Sequence, residues 1–299
     1  MAKTGLVTVL YNSDNVLEGF FKSISNQSYR DYILYLVDNS VNDSTNSLIA
    51  KLVQEYPVTE YRHIKSDGNT GVAAGNNTGI RKSLADGCEY VLLLNNDIEI
   101  DQKDAFEKLV SICEVKGEKL AVPKIYYYDT RKLWMAGGYM DTWRALGVHS
   151  GYKKSDEVKY NLPKYITYAP TCFMLIAKEV FEKLGMMDEK YFAYYDDTDF
   201  VFRAIRADIK LFYEPSVSIL HKVSSSGGGD VSSFYIYYSN RNKIYFIRKN
   251  LRGIKRLFAL SYTMLSRLVF WFRFNRSGKK DLIRGLKDGC RMKIMPDVG

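Results

Sequence analysis

Apolar and polar positions alternate along the first third of the chain in blocks that predict strands and helices in turn. Four short apolar runs, rich in β-branched and aromatic residues, predict strands at residues 5–11, 32–37, 58–64 and 90–94. Between these runs the apolar residues have helical spacing, which predicts helices at residues 17–24, 47–56 and 75–84. This alternation predicts an α/β fold with a mostly parallel central sheet flanked by helices.

Three of the predicted strands run directly into polar clusters, which are Tyr11-Asn12-Ser13, Asp38-Asn39-Ser40 and Asn95-Asn96-Asp97. Ligands of open parallel sheets bind beyond the carboxyl ends of the strands, so we expect the clusters to converge on one crevice. Asp97 could bind Mg²⁺ or Mn²⁺ while diphosphate oxygens complete the shell. Asp38 could accept a hydrogen bond from the N3–H of uracil or thymine. For both residues a turn or a helix cap is the structural alternative.

A passage rich in Gly and Asn opens the third predicted helix, with Asn69, Gly71, Gly75 and Asn77 as its chief members. Small residues let backbone N–H groups approach a phosphate, and a helix N-terminus favours negative charge. The passage is neither a Walker loop nor a dinucleotide fingerprint, and it follows the third strand rather than the first. A flexible turn is the alternative, but the density of Asn and Gly favours a ligand.

Three acids fall within four positions in the segment Tyr194-Tyr195-Asp196-Asp197-Thr198-Asp199. Clustered carboxylates raise at least one pKa, which suits a general base. A helix is predicted at residues 197–206, so Asp199 and Arg203 would pair across one turn and leave Asp196 or Asp197 facing a pocket. His221 follows an apolar run and could bind a divalent ion, although a lone histidine is more often structural.

The charge distribution and the cysteine content indicate the kind of partner and the cellular compartment of the protein. The chain carries a net charge of +9, but residues 241–299 hold 16 basic and 3 acidic residues, whereas residues 1–240 hold 27 basic and 31 acidic ones. A basic tail favours a polyanion, and the acidic remainder argues against nucleic acid. The scattered cysteines and the N-terminus without a secretory signal predict a cytoplasmic protein.

The tail also has an apolar stripe at helical spacing, formed by Leu251, Ile254, Phe258, Tyr262, Leu265, Val269 and Phe272. Its longest uncharged run is shorter than the roughly 20 residues of a membrane span. We therefore expect a basic amphipathic helix on an anionic membrane surface, with packing of the stripe on the protein's own core as the alternative.

Taken together, the chain resembles the family 2 glycosyltransferases with the GT-A fold, of the bacterial rhamnosyltransferase-like branch. The resemblance covers about residues 7–248 and rests on Val7-Thr-Val-Leu-Tyr-Asn12, Val37-Asp-Asn39, the passage from Asn69 to Gly79, Leu92-Leu-Leu-Asn-Asn-Asp97, Phe173-Met-Leu-Ile176, Tyr194-Tyr-Asp-Asp-Thr-Asp199 and Ile219-Leu-His221. It implies a catalytic domain at residues 1–240, divided into a nucleotide-sugar half (1–120) and an acceptor half (121–240). A helical extension follows at residues 241–299.

The resemblance also implies roles for single residues. Tyr11, Asn12 and Asp38 would hold the nucleoside, and the donor diphosphate and sugar would contact Asn69, Gly71, Gly75, Asn77, Asn95, Asn96 and Asp97. Asp97 and His221 would bind Mn²⁺ or Mg²⁺. Asp197 matches the family's catalytic base, with Asp196 where many members have Glu. Cys172, Phe173 and Tyr195 would lie near the acceptor. Asn95 departs from the family's metal motif by replacing its first Asp.

The implied reaction is inverting transfer of a sugar, with L-rhamnose from dTDP-L-rhamnose as the first choice and UDP-hexose or furanose donors as alternatives. The acceptor would be a glycan or lipid-linked glycan in bacterial surface polysaccharide synthesis, at the inner face of the cell membrane. A nucleotidyltransferase is a rival, but it typically has a basic Gly-rich loop where this chain has Tyr11-Asn12-Ser13-Asp14. A non-catalytic sugar-nucleotide binder is another rival, and it would not need Asp196 and Asp197.

Overall fold

A computed structural model of the chain describes residues 2–41, 44–223 and 232–294. Its first part alternates strand and helix as expected, in the order β1 (Thr4–Leu10), α1 (Leu17–Ser25), β2 (Tyr32–Asp38), α2 (Ser44–Glu55), β3 (Tyr61–Lys65), α3 (Val72–Ala85) and β4 (Tyr90–Leu94). These strands pair in parallel, in the spatial order β4, β1, β2, β3. β3 is shorter than predicted because residues 58–60, which follow Pro57, lie outside the strand.

The second part adds shorter strands and three more α-helices before the final long strand. Its elements are β5 (Ile98–Glu99), α4 (Ala105–Lys116), β6 (Leu120–Tyr127), β7 (Leu133–Met135), β8 (Gly138–Asp141), β9 (Leu146–His149), β10 (Lys164–Ile166), β11 (Phe173–Ala177), α5 (Lys178–Leu184), α6 (Asp196–Arg206) and β12 (Leu211–His221). β11 lies antiparallel between β4 and β6, while β12 runs parallel to β6. The central sheet is therefore mixed, and β8 and β9 form a separate hairpin.

The core forms where continuous apolar runs are covered by helices on both faces of the sheet. Every residue of β2 is buried, and so is nearly every residue of β1 and β4. α1 buries the predicted apolar face, which contains Leu17, Phe20, Phe21 and Ile24. Strands buried on both faces lose the alternation of polar and apolar residues, which explains their uniform sequences.

Three long helices end the described part of the chain, namely α7 (Ser233–Asn250), α8 (Gly253–Trp271) and α9 (Arg276–Arg291). α7 and α9 pack closely because Gly285 and Gly289 of α9 lie against the backbone of α7, where an added Cβ would come within 2.6 Å of Tyr237 O and 2.4 Å of Arg241 O, respectively. The boundary expected at residue 240 falls inside α7, so this helix is continuous between the two expected parts.

The apolar stripe of the tail lies on the surface, so the expected alternative of packing on the protein's own core is wrong for most of it. Ile254, Leu265, Val269 and Phe272 are 68%, 66%, 64% and 81% exposed, respectively. α8 instead packs through its small residues, because only Ala259 and Thr263 are buried. In the described part of the chain we find no helix with the length and apolar character that a membrane span requires.

Candidate active site

One large cavity, of about 660 Å³, opens at the carboxyl ends of β1, β2 and β4. Residues from all three predicted polar clusters line it, namely Tyr11, Ser13, Asn39, Asn95, Asn96 and Asp97. Their convergence follows from the parallel pairing of β1 with both β2 and β4, which brings the three strand ends to one edge of the sheet. The expected crevice is thus present.

The residues of the cluster after β4 have two different roles, one structural and one in lining the cavity. Asn96 donates hydrogen bonds to Val9 O and Ser13 Oγ, both at 2.9 Å, and so fixes the end of β4 to the end of β1. Asn95 is exposed to the cavity. Asn95 and Asp97 therefore provide the side chains of this cluster that can meet a ligand directly.

Asp38 is fully buried and does not line the cavity. Its carboxylate accepts hydrogen bonds from Ser40 N at 2.8 Å and Lys65 Nζ at 3.0 Å. Burial alone would raise the pKa of this carboxyl, but these hydrogen bonds outweigh it and lower the pKa below its usual value. Asn12, also expected to hold the nucleoside, does not line the cavity; it has a left-handed backbone with φ 49°, and its N–H donates to Ser40 Oγ at 3.0 Å.

The Gly-rich passage contributes the start of α3 to the cavity wall. Gly71 has φ +86°, and an added Cβ would lie 2.5 Å from the Phe192 carbonyl oxygen, so only glycine fits. Asn69 and Gly71 line the cavity, and Asn39 donates to Gly71 O at 3.2 Å, which ties β2 to α3.

Gly75 and Asn77 do not line the cavity. Asn77 is buried and bonded to the backbone of Met187 in both directions, at 2.9 and 3.0 Å, and its amide also donates to Glu189. Gly75 gives α3 room to pack on β1, because an added Cβ would come within 2.8 Å of Val9. In this structure both residues position α3 rather than contact a ligand.

Asp97 and His221 meet at the floor of the cavity. The two-residue strand β5, which follows Asp97, pairs with the end of β12, and this pairing brings Asp97 Oδ1 within 3.2 Å of His221 Nε2. Both side chains are buried and line the cavity. The ring of His221 packs edge-on against Trp134 at 4.7 Å between ring centroids.

The side chains of Asp97 and His221 suit a divalent ion in both their spacing and their chemistry. Two ligands about 2.1 Å from one ion lie about 3 Å apart when their bonds are at right angles, close to the observed separation. No cluster of three or more His, Cys, Asp or Glu residues suited to a metal occurs among the described residues. An ion held by Asp97 and His221 would therefore need further ligands, which diphosphate oxygens can supply.

The acidic cluster stands at the N-terminus of α6, behind two residues with left-handed backbones. Tyr194 and Tyr195 have φ 65° and 70°, a conformation that is strained for aromatic residues and aims the start of α6 at the cavity. Asp197 accepts hydrogen bonds from Tyr168 OH at 3.0 Å and from Thr198 N at 2.5 Å. Burial raises the pKa of Asp197 despite these bonds, and burial with the charge of Asp197 raises the pKa of Asp196.

Asp199 is a structural carboxylate, as the sequence predicted. It is fully buried and accepts from Arg203 Nε at 2.9 Å, which confirms the predicted pair across one turn. The end of α7 adds Lys249 Nζ at 2.9 Å and Asn250 Nδ2 at 2.7 Å. Lys249 and Asn250 of α7 thus lock the first turn of α6 against α7 through Asp199.

Of the three residues expected near the acceptor, two line the cavity. Cys172 lies in its wall, and burial raises the pKa of its thiol well above the usual value, so the group is neutral. Tyr195 also lines the cavity, and its hydroxyl donates to Ala145 O at 3.0 Å. Phe173 is buried and packs against Phe106 with 6.1 Å between ring centroids, so it does not reach the cavity.

Sequence reasoning missed several residues of the wall, above all Tyr168 and Trp134. Tyr168 bonds the Asp197 carboxylate and stacks on His149 at 5.7 Å. Burial lowers the pKa of His149 to about 4, so this ring is uncharged at neutral pH. Neither the β8–β9 hairpin nor the irregular segment that carries Tyr168 has a periodic signal.

The sequence and the fold are similar to those of known proteins. Residues 6–185 match the family described as Glycosyl transferase family 2, and the chain belongs to that family. The low-salt glycan biosynthesis hexosyltransferase Agl10 of Haloferax volcanii is 28% identical over 266 residues, covering 88% of this chain and 81% of Agl10. The dTDP-rhamnosyl transferase RfbF of Shigella flexneri is 24% identical over 308 residues, covering 95% of this chain and 97% of RfbF.

A solved structure supports the fold assignment. The mannosyltransferase PcManGT of Pyrobaculum calidifontis, in complex with GDP-Man and Mn²⁺, is similar with a TM-score of 0.61 at 14% identity, covering 99% of this chain and 77% of that chain. The expected GT-A fold is thereby confirmed, and the protein is a glycosyltransferase of family 2.

Proposed function

We propose that this protein is an inverting, metal-assisted glycosyltransferase that moves L-rhamnose from dTDP-L-rhamnose to a hydroxyl of a glycan or lipid-linked glycan. The observation that carries the proposal is the meeting of two groups in one cavity. One is the Asp97–His221 pair, 3.2 Å apart, and the other is the carboxylate pair that opens α6. The first suits a diphosphate with its cation, and the second suits removal of a proton.

Asp197 serves as the general base. Its buried carboxylate, held by Tyr168 and Thr198, takes the proton of the acceptor hydroxyl while the oxygen attacks the anomeric carbon opposite the diphosphate. One displacement of this kind inverts the anomeric centre. A divalent ion bound by Asp97 and His221 would offset the negative charge that develops on the departing nucleotide. Asp196 stays beside the base, and its raised pKa keeps it from adding a second full charge.

Donor recognition is assigned to the strand ends and to the start of α3. Tyr11 holds the nucleoside, and Asn12 and Asp38 fix its loop through their hydrogen bonds with Ser40. Asn69, Gly71 and Asn95 meet the diphosphate and sugar. The name of RfbF supports a dTDP-rhamnose donor, and UDP-hexose or furanose donors are the alternatives.

The deciding assay measures donor hydrolysis and transfer across a panel of dTDP- and UDP-sugars, with and without Mn²⁺. We expect turnover with one donor class that depends on the metal. Asp197→Asn lowers turnover at least ~10²-fold with donor binding intact. The matched control is Asp208→Asn, which removes an exposed charge near the other end of α6 and leaves turnover unchanged. No turnover with any donor would favour a non-catalytic binder, and near-normal turnover of Asp197→Asn would refute the base.

We assign to the exposed apolar face of α8 the binding of an anionic membrane surface, on the inner side of the cell membrane. Apolar side chains form this face, and the tail around it is strongly basic, so both attractions act together. Val269→Glu abolishes co-flotation with phosphatidylglycerol vesicles. Val115→Glu, at an isolated exposed valine of α4, does not. Equal flotation of both variants, or a dimer broken by Val269→Glu without vesicle binding, would overturn the assignment.

A further inference from the structure

A basic cluster stands between the cavity and the exposed face of α8, and nothing in the proposed transfer reaction uses it. It consists of Arg144 in the turn between β8 and β9, Lys243 on α7 and Arg267 on α8. Among the described residues, Asp141 is the carboxylate whose charge acts on Lys243, and it is already paired with Arg144 Nε at 2.6 Å. Three basic side chains thus lie near one carboxylate within the part of the chain that the structure describes.

Lys243 is the unusual member because its side chain is buried. It is only 2% exposed, and among the described residues no carboxylate or carbonyl accepts a hydrogen bond from its ammonium group. Its nearest aromatic contact is the ring of Tyr262, 5.6 Å from Nζ, and Tyr262 also interacts with Arg144. Burial lowers the pKa of Lys243 to about 7, with Arg267 and Arg144 adding to the shift. Because the charged form of a buried lysine is costly, an anion that joins the cluster would favour the protonated form of Lys243.

The other two cations leave the cluster open on its outer side. Arg144 and Arg267 are both partly exposed. The Nε of Arg267 donates to Asn240 Oδ1, and no carboxylate among the described residues pairs with its guanidinium group. A tetrahedral phosphate can bind guanidinium and ammonium groups together.

The position of the cluster gives the ligand its class. On one side, Ala145 follows Arg144 and accepts the hydroxyl of Tyr195, which lines the cavity. On the other side, Trp143 packs edge-on against Phe258 of α8 at 5.3 Å between ring centroids. A phosphate held here would lie between a sugar in the cavity and an apolar chain on the face of α8.

We infer that Arg144, Lys243 and Arg267 bind the phosphate or diphosphate group through which the acceptor sugar is attached to a lipid. The inference rests on the proposed function, because it names the acceptor class of the same site. The same chemistry could come from the headgroup of a bilayer lipid, so the two sources have to be told apart by experiment.

The test uses the whole chain and geranylgeranyl diphosphate in detergent as the probe, with binding measured by calorimetry. We expect Lys243→Met and Arg267→Gln each to weaken binding about 10-fold, the loss of a hydrogen bond to a charged group. Lys255→Met, which removes the same charge from an exposed site on α8, leaves binding unchanged. Geranylgeraniol, which lacks the phosphates, binds the parent chain and Lys243→Met equally.

Two further measurements separate the possible failures. If bilayer headgroups are the ligand instead, Lys243→Met lowers affinity for phosphatidylglycerol vesicles while leaving the prenyl diphosphate affinity intact, and the inference is overturned. Equal prenyl diphosphate binding by Lys243→Met and the parent also overturns it, as does no binding by the parent. Donor nucleotide binding by the parent, titrated in parallel, tests the proposed function separately, because a chain that binds donor but not prenyl diphosphate refutes only the acceptor site.

Discussion

Gly71 and Gly87 flank α3 and offer a matched pair of substitutions to alanine. Both have positive φ, +86° and +82°, so each variant carries a backbone penalty of at least about 1–2 kcal/mol. Gly71, with ψ 174°, lies in a region that essentially only glycine adopts, so its penalty is the larger one. They differ in their surroundings. A Cβ at Gly87 would have no neighbour within 4 Å, whereas a Cβ at Gly71 would lie 2.5 Å from Phe192 O and 2.9 Å from Phe192 Cα.

The contact at Gly71 is with backbone, which cannot rotate away, so the chain has to move. Forcing an extra methyl group into a packed site costs typically about 1–3 kcal/mol. We therefore expect Gly71→Ala to lower the free energy of unfolding by about 2–5 kcal/mol and Gly87→Ala by about 1–2 kcal/mol. The displaced segment carries the hydrogen bond from Val72 N to Phe192 O at 2.8 Å, so the cavity wall moves with it.

Urea unfolding followed by circular dichroism measures the two losses, and a titration with dTDP measures the effect on the site. Donor nucleotide binding should weaken in Gly71→Ala alone. Equal destabilisation of the two variants would show that the approach to Phe192 is unimportant. Unchanged nucleotide binding by a destabilised Gly71→Ala would remove this turn from the donor site.

Three further predictions test the base, the metal ligands and the lock on α6. Tyr168→Phe removes a hydrogen bond that lowers the pKa of Asp197, so this pKa rises and the acid limb of kcat/KM shifts to higher pH, whereas an unmoved limb would contradict the role. Asp97→Asn raises the Mn²⁺ concentration for half-maximal activity at least about 10-fold. Activity of the parent protein that EDTA does not change would contradict the metal role. Lys249→Met removes the buried partner of Asp188 and Asp199, so it lowers the free energy of unfolding, measured in urea, by about 3–5 kcal/mol. Lys255→Met lowers it by less than about 1 kcal/mol, and equal losses of unfolding free energy would refute the lock on α6.

The parallel half of the sheet could be predicted because each of its strands is a continuous apolar run bounded by polar residues. β4 occupies residues 90–94 as predicted, and the clusters after β1, β2 and β4 converge because parallel pairing leaves them no other place. Residue type was a weaker guide to the direction of each side chain. Asn77 and Asp38 belong to clusters that reach the cavity, yet the Asn77 amide is hydrogen-bonded to the backbone of Met187 and the Asp38 carboxylate to Lys65.

The meeting of Asp97 with His221 had no signal in the pattern, and family resemblance alone implied it. The pairing depends on β5, a strand of two residues, which is too short to show any alternation. Tyr168 could not be singled out either, because the chain has 24 tyrosines and this one lies in an irregular segment. The contacts that build the candidate site join residues far apart in the sequence through short elements, so local periodicity does not predict them.

The continuity of α7 across residue 240 means that the tail cannot be treated as a detachable anchor. A chain cut at that point would keep the first turns of α7 and lose Lys249 and Asn250, the two residues of α7 that donate hydrogen bonds to Asp199. Trimming the protein for solubility would therefore loosen the helix that carries Asp197. Swapping this tail between relatives would therefore also change the contacts that hold α6 beside the cavity.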